Sequence, residues 1–367
     1  MNNYEKFLDL KSNSGLHSPS VFEIKNYLNL KIDVDACFLC NPYAFDLFIE
    51  NFNKEDLTDY IKYYPPQNKI LSQVLSKTLG INSEYLLLGN GAIQLIELLM
   101  REFENKKKCI ITPTFSSYYE FDMENIVFFK THKENNFKVD KKELVKFCKE
   151  HNVELLVIVN PNNPTGSIIL KDDLKYIIKE LHQTKIIVDE SFIDFFDKNH
   201  SVEKDVYTNK NLIVIRSLSK DFGIAGLRLG YAVCDPKINE KIFSKYGLCW
   251  NINGFAQFFL ELFSNEEFQN NYQIAREKYL TGRTEFYEEL KTLKNIVVYE
   301  SHANFFILDC GKNINKVFSN LLFDKNIYTR ILNDKLDLDD TFLRIACGNK
   351  NDNKIVFDAL KEIDKKL

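Results

Sequence analysis

Nowhere in the 367 residues do about 18 uncharged apolar residues run together, the length a helix needs to cross a bilayer core. Residues 1–10 are polar and acidic rather than basic and then apolar, so they do not read as a secretory leader. A cytoplasmic protein with no membrane partner is expected. A field of one sign is missing too: 48 Lys and Arg stand against 52 Asp and Glu, a formal net charge of -4. That balance favours neither nucleic acid nor an anionic membrane, and any phosphate must be held locally. No G-x-x-x-x-G-K-[ST] or G-x-G-x-x-G occurs, which removes the P-loop and dinucleotide signatures. The eight cysteines are scattered (Cys37, Cys40, Cys109, Cys148, Cys234, Cys249, Cys310 and Cys347), as reduced thiols are rather than a disulfide framework. Cys37 and Cys40 form one C-x-x-C, but no second pair or nearby histidine completes a zinc set, so no metal is expected. Internal repeats, low-complexity tracts and Pro-rich linkers are also missing.

What remains is globular composition, 45% hydrophobic and 27% charged, in a length that suits two domains. Short apolar runs at 85–88, 109–112, 126–129, 155–159, 185–188, 212–216 and 229–233 alternate with helical patterns, the mark of an α/β layer with a largely parallel sheet. Leu170, Leu174, Ile177, Ile178 and Leu181 recur at helical spacing, with Asp172 and Asp173 at the start where the helix dipole favours acids. After Trp250 the texture turns helical, then mixes short strands (296–298, 305–308, 343–346) with helices. The expected division is an N-terminal arm over 1–45, a large domain over 46–260 and a small α+β domain over 261–367. The arm is expected on the small domain or on a partner subunit, with 12–20 and His17 as a lid.

Four motifs carry chemistry. Arg216-Ser217-Leu218-Ser219-Lys220, followed by Arg228, ends a strand in hydroxyls, a lysine and a guanidinium, donors that suit phosphate. Ile186-Ile187-Val188-Asp189-Glu190-Ser191-Phe192 places an acid just after a buried-type strand, where an open α/β sheet presents its crevice. Asn160-Pro161-Asn162-Asn163-Pro164-Thr165-Gly166 is a turn at another strand end, which alone is no more than a turn. Gly89-Asn90-Gly91-Ala92 lies between a strand and a helix, so a backbone can approach an anion at a helix N-terminus there. Singly, each has a bland reading as a loop or cap.

In this order the four resemble the aspartate-aminotransferase-like pyridoxal-phosphate fold, fold type I, and within it the histidinol-phosphate aminotransferase and threonine-phosphate decarboxylase branch. Asn41-Pro42-Tyr43 looks like the family's entry motif and Tyr63-Tyr64-Pro65 follows at the family's distance, so the resemblance runs from about Asn41 onward. It implies a mostly parallel seven-stranded sheet with a smaller α+β domain, and pyridoxal 5'-phosphate as cofactor. It implies Lys220 as the Schiff-base lysine, Asp189 at the pyridine nitrogen, Asn163 at the ring hydroxyl and Phe115 stacked on the ring. Phosphate contacts would come from Gly91, Ala92, Ser217, Ser219 and Arg228. Tyr64 would reach the neighbouring subunit's site, which implies a homodimer with shared active sites.

The same branch implies substrate contacts from Asn41, Asn253, Arg330 and Arg344, with Arg344 on the substrate carboxylate and Arg330, fourteen residues earlier, on its phosphate. One departure is Phe192, where the family usually has a tyrosine whose hydroxyl helps hold the ring oxygen. The ending Arg344-Ile345-Ala346-Cys347-Gly348-Asn349 looks more like the aminotransferase's. The expectation is therefore a transaminase for a small phosphorylated amino or keto compound, with an amino acid such as glutamate as donor. The alternative is a decarboxylase of an O-phospho-amino acid, since both reactions share their early steps and Phe192 also fits the threonine-phosphate enzyme. An inactive binding protein of the same fold is opposed by the joint presence of Lys220, Asp189 and Asn163.

Overall fold

Two short helices, α1 (Asn3–Asn13) and α2 (Val21–Leu28), open the chain, each started by a capping box: Asn2 with Glu5 and Ser20 with Glu23. The computed structural model describes residues 2–15, 17–53, 57–120 and 123–367; position 16, inside the segment expected as a lid, lies outside them. Phe7, Leu10 and Ile24 of these helices join one core with Phe305, Phe306, Leu343 and Ile345, so the arm packs on the small domain of its own chain.

The alternating apolar runs pair into a seven-stranded sheet: β1 (Leu86–Asn90), β2 (Lys108–Thr112), β3 (Ile126–Lys130), β4 (Leu155–Val159), β5 (Lys185–Asp189), β6 (Leu212–Ser217) and β7 (Leu229–Val233). Their order is β1-β7-β6-β5-β4-β2-β3. Only β7 runs antiparallel to its neighbours, β1 and β6. Strands β2, β4, β6 and β7 are buried at every residue, which is why they read as unbroken apolar runs rather than alternating ones.

This topology positions the chemistry. The parallel strands bring Thr112, Val159, Asp189 and Ser217 to one edge, the carboxyl ends where such sheets take ligands. Because β7 runs the other way, its start comes to the same edge, where Gly230 pairs with Ser217 and Leu229 with Asn90. Helix α3 (Gly91–Glu102) begins directly after β1, so its N-terminus opens there as well.

The 25-residue helix α4 (Glu266–Leu290) joins the two cores: Phe268 and Tyr272 belong to the large one, Tyr279, Phe286 and Leu290 to the small one. The small sheet, β8 (Val297–Val298), β9 (Phe305–Asp309), β10 (Arg330–Ile331) and β11 (Phe342–Ala346), is antiparallel in the order β10-β11-β9-β8. Among the described residues, no helix is long and apolar enough to cross a membrane.

Candidate active site

A cavity of about 290 Å³ opens where the sheet edge meets the small domain and the N-terminal arm. Lys220 enters it from a single helical turn, Leu218–Asp221, formed as the chain leaves β6. The Lys220 carbonyl accepts the Asn41 N–H at 3.0 Å, which fixes the turn. Burial, with the guanidinium groups of Arg344 and Arg228, holds the Lys220 amine below the usual lysine range. A less basic amine is a better nucleophile at neutral pH.

Arg228 takes a left-handed backbone, φ 55°, and its carbonyl accepts the Gly91 N–H at 2.9 Å. Gly91 suits its φ of 75°, which L side chains rarely adopt, and lies close against the Arg228 guanidinium. Ala92, Ser217 and Arg228 line the cavity beside the α3 N-terminus, a site with free N–H groups and a positive dipole end.

Asp189 is 3% exposed and accepts the Tyr118 hydroxyl and the Ser191 N–H, both at 2.9 Å. Burial pushes its carboxyl up, so it awaits a cation. Asn163 Oδ1 accepts Arg344 Nη1 at 2.8 Å, while Arg344 Nη2 donates to the Cys37 carbonyl at 2.9 Å. The Arg344 Nε has no partner, and burial together with Arg330 lowers the guanidinium to about 10. Arg330 is paired with Asp334 and donates to the His17 carbonyl at 3.4 Å.

Lys335, which no sequence motif flagged, lies in the same cavity, with Nζ donating to Ser116 Oγ at 3.1 Å and lying 6.0 Å from the centre of the Phe115 ring. Burial and Arg330 bring its amine down to about 7. His17 also lines the cavity, its ring 5.8 Å from that of Phe115. Among charged lining residues, Lys220, Arg228, Arg330, Lys335 and Arg344 face a single acid, Asp189. So strong an excess of positive charge calls for several anionic groups.

Five expected contacts do not line this cavity, Gly91 being one of them. The Ser219 hydroxyl is bound to the Leu229 backbone, donating to the carbonyl at 3.2 Å and accepting the N–H at 3.3 Å. Asn253 caps the helix Gly254–Phe263 and donates to the Leu227 carbonyl at 2.8 Å. Asn41, fully buried, caps Pro42–Phe52 by accepting the Tyr43 and Ala44 N–H groups. Tyr64 is 81% exposed, its ring 4.9 Å from that of Trp250. The Phe192 ring meets Phe305 edge-on at 5.3 Å, and among the described residues no tyrosine lines the cavity.

The family model for aminotransferases of class I and II matches residues 43–360. The chain belongs to this family. It is 37% identical to an L-serine phosphate decarboxylase of Campylobacter jejuni over 100% of this chain and 99% of that one. A solved decarboxylase from Sulfurospirillum multivorans superposes with a TM-score of 0.92 at 35% identity, covering 99% of this chain and 96% of that one. The histidinol-phosphate aminotransferase from Clostridium acetobutylicum gives 0.79 at 28%, covering 91% and 100%.

These relatives overturn the transaminase expectation. Likeness in sequence and in backbone is greater to proteins named as decarboxylases than to the aminotransferase, and the expected amino donor falls with it. The tail motif after Arg344 is short, whereas the likeness to these decarboxylases spans the whole chain. The fold class stands, and the cofactor of this chain is pyridoxal 5'-phosphate. The residues fit it on the structure's own terms: a buried acid short of a cation, a lysine of lowered basicity, and a glycine cradle against a guanidinium at a helix N-terminus.

Proposed function

We propose that the protein decarboxylates O-phospho-L-serine, releasing carbon dioxide and leaving O-phosphoethanolamine. The observation that carries this reading is full-length similarity to an L-serine phosphate decarboxylase in a chain whose cavity sets five bases against one acid. Cofactor phosphate, substrate phosphate and substrate carboxylate are three anions for that excess of charge.

Bound pyridoxal phosphate supplies the electron sink that makes loss of the carboxylate possible. The chain's own groups do the rest. Lys220 Nζ would attach the cofactor, Asp189 would keep its ring nitrogen protonated, Asn163 would meet the ring oxygen, and Phe115 would cover the ring. Ser217, Arg228 and the backbone of Gly91 and Ala92 would take the cofactor phosphate. Arg330 and Lys335 hold the substrate phosphate, which anchors the molecule at one end. Arg344 receives the carboxylate at the other, and the apolar walls of Leu39, Phe115 and Phe192 favour departure as uncharged carbon dioxide. The Lys220 ammonium would then deliver a proton to the substrate Cα, in the place the carboxylate leaves.

Exposed Tyr64 and Trp250, with Ile61 at 72% exposure, support the further assignment of this face to a second copy of the chain, placing Tyr64 in the neighbour's cavity. A substrate panel tests the main reading: O-phospho-L-serine, O-phospho-L-threonine, L-serine and histidinol phosphate, each followed for carbon dioxide. Fastest release is expected from O-phospho-L-serine. Conversion of the cofactor to its amine form by histidinol phosphate, with no carbon dioxide from any substrate, is the contrary result.

A further inference from the structure

Helix α1 buries Phe7, Leu10 and Lys11, spaced as one helical face. Phe7 and Leu10 belong to the core of the small domain, but a lysine on the same face needs a reason, because its ammonium is costly to bury unless paired. Lys11 is 6% exposed; its Nζ donates to Asn333 Oδ1 and stands 3.7 Å from Asp334 Oδ1, an ion-pair distance. The other oxygen of Asp334, Oδ2, accepts Arg330 Nη2. One carboxylate is thus shared by two buried cations, Lys11 from the arm and Arg330 from β10.

The sharing leaves one positive charge of these three groups uncompensated, a state that a further anion relieves. Arg330 lines the active-site cavity, whereas Lys11 and Asp334 stand behind it. Burial and the Arg330 guanidinium bring the Lys11 amine down to about 8, so it keeps its charge at neutral pH. The arm meets this strand twice more: the His17 carbonyl accepts Arg330 Nη1 at 3.4 Å, and the Pro19 carbonyl accepts the Tyr328 hydroxyl at 2.8 Å. Without the Lys11 charge, Asp334 would answer Arg330 alone, and an incoming phosphate would meet a pair already satisfied.

We propose that Lys11 is a positioning residue for the substrate phosphate: by drawing on Asp334 it leaves Arg330 with charge to offer an anion, so the N-terminal arm sets the affinity of that subsite. This rests on the assignment of Arg330 to the substrate phosphate.

In the holoenzyme, Lys11→Gln keeps a donor toward Asn333 and removes the charge. It is expected to raise KM for O-phospho-L-serine about tenfold or more with kcat held, the sign of lost uniform binding. Lys11→Arg is expected to restore KM. Calorimetry with inorganic phosphate reads the same subsite without turnover, and Lys11→Gln should bind it about tenfold more weakly. A wild type that leaves O-phospho-L-serine unreacted while this difference in phosphate affinity persists counts against decarboxylation and supports the role of Lys11. If Lys11→Gln fails to fold, hydrogen exchange in the wild-type holoenzyme takes its place. By reciprocity, phosphate that engages Arg330 leaves Asp334 to Lys11, so the amides of residues 3–13 should exchange more slowly when phosphate is added. The proposal is overturned by no phosphate binding in the wild type, by equal KM and phosphate affinity in Lys11→Gln, by a loss confined to kcat, or by a loss that Lys11→Arg leaves in place. Should the variant not fold, exchange that ignores phosphate overturns it.

Discussion

Arg330 and Arg344 stand directly opposite each other across the antiparallel pair β10 and β11, so two guanidinium groups fourteen residues apart in sequence leave the same face of the sheet. Like charges so placed are destabilising unless something anionic stands before them. Asp334 answers Arg330, whereas Arg344 has only neutral oxygens, those of Asn163 and Cys37. Arg330→Ala is expected to cost about 2 kcal/mol, roughly 30-fold in kcat/KM, with O-phospho-L-serine. Side-by-side kinetics with L-serine check it: an equal loss there contradicts a phosphate role.

Lys335 gives the site a pH dependence. With its amine at about 7, it carries charge below that pH and loses it above, so a grip on the substrate phosphate weakens as pH rises. A fall in kcat/KM for O-phospho-L-serine is expected as pH passes through about 7, since that ratio reports the free enzyme. Lys335→Met should lower the acid-side value and remove this limb. An unchanged profile would rule Lys335 out.

Asp189→Asn removes the buried acid without changing the shape of its side chain. The asparagine Oδ1 can still accept the Ser191 N–H and its amide can donate to the Tyr118 hydroxyl oxygen, but the charge that would keep the ring nitrogen protonated is gone. Decarboxylation is expected to slow by about 100-fold or more, with cofactor still attached. Single-turnover rates and the absorbance spectrum separate this from simple cofactor loss.

Phe192→Tyr restores the hydroxyl usual in the family beside Asn163. The pH at which the Lys220-bound cofactor changes colour should move down, because an added donor to the ring oxygen stabilises its ionised form. A spectrophotometric titration identical to wild type would show that the hydroxyl does not reach.

Much of the large sheet was legible because parallel strands buried on both faces leave short apolar runs between amphipathic helices. Lys220, Asp189 and Asn163 were legible for a related reason: each follows such a run, so one sheet edge collects them. Lys335 was not, since it reaches the cavity only through packing of the small domain and sits in no motif; His17 was expected only as part of a lid, and it lines the cavity. Ser219 and Asn253 carry the right chemistry in the right neighbourhood, yet their side chains serve local backbone, a choice made by rotamer and register. The choice between losing a proton and losing carbon dioxide depends on the pose of the carboxylate at Arg344, which no motif records.

Incubation of the holoenzyme with O-phospho-L-serine labelled with ¹³C in the carboxyl group, in heavy water, tests the central claim most directly. One equivalent of ¹³C-labelled carbon dioxide is expected, with O-phosphoethanolamine carrying a single deuterium on the carbon that bore the carboxylate. Loss of the substrate's amino group with retention of the label would contradict it.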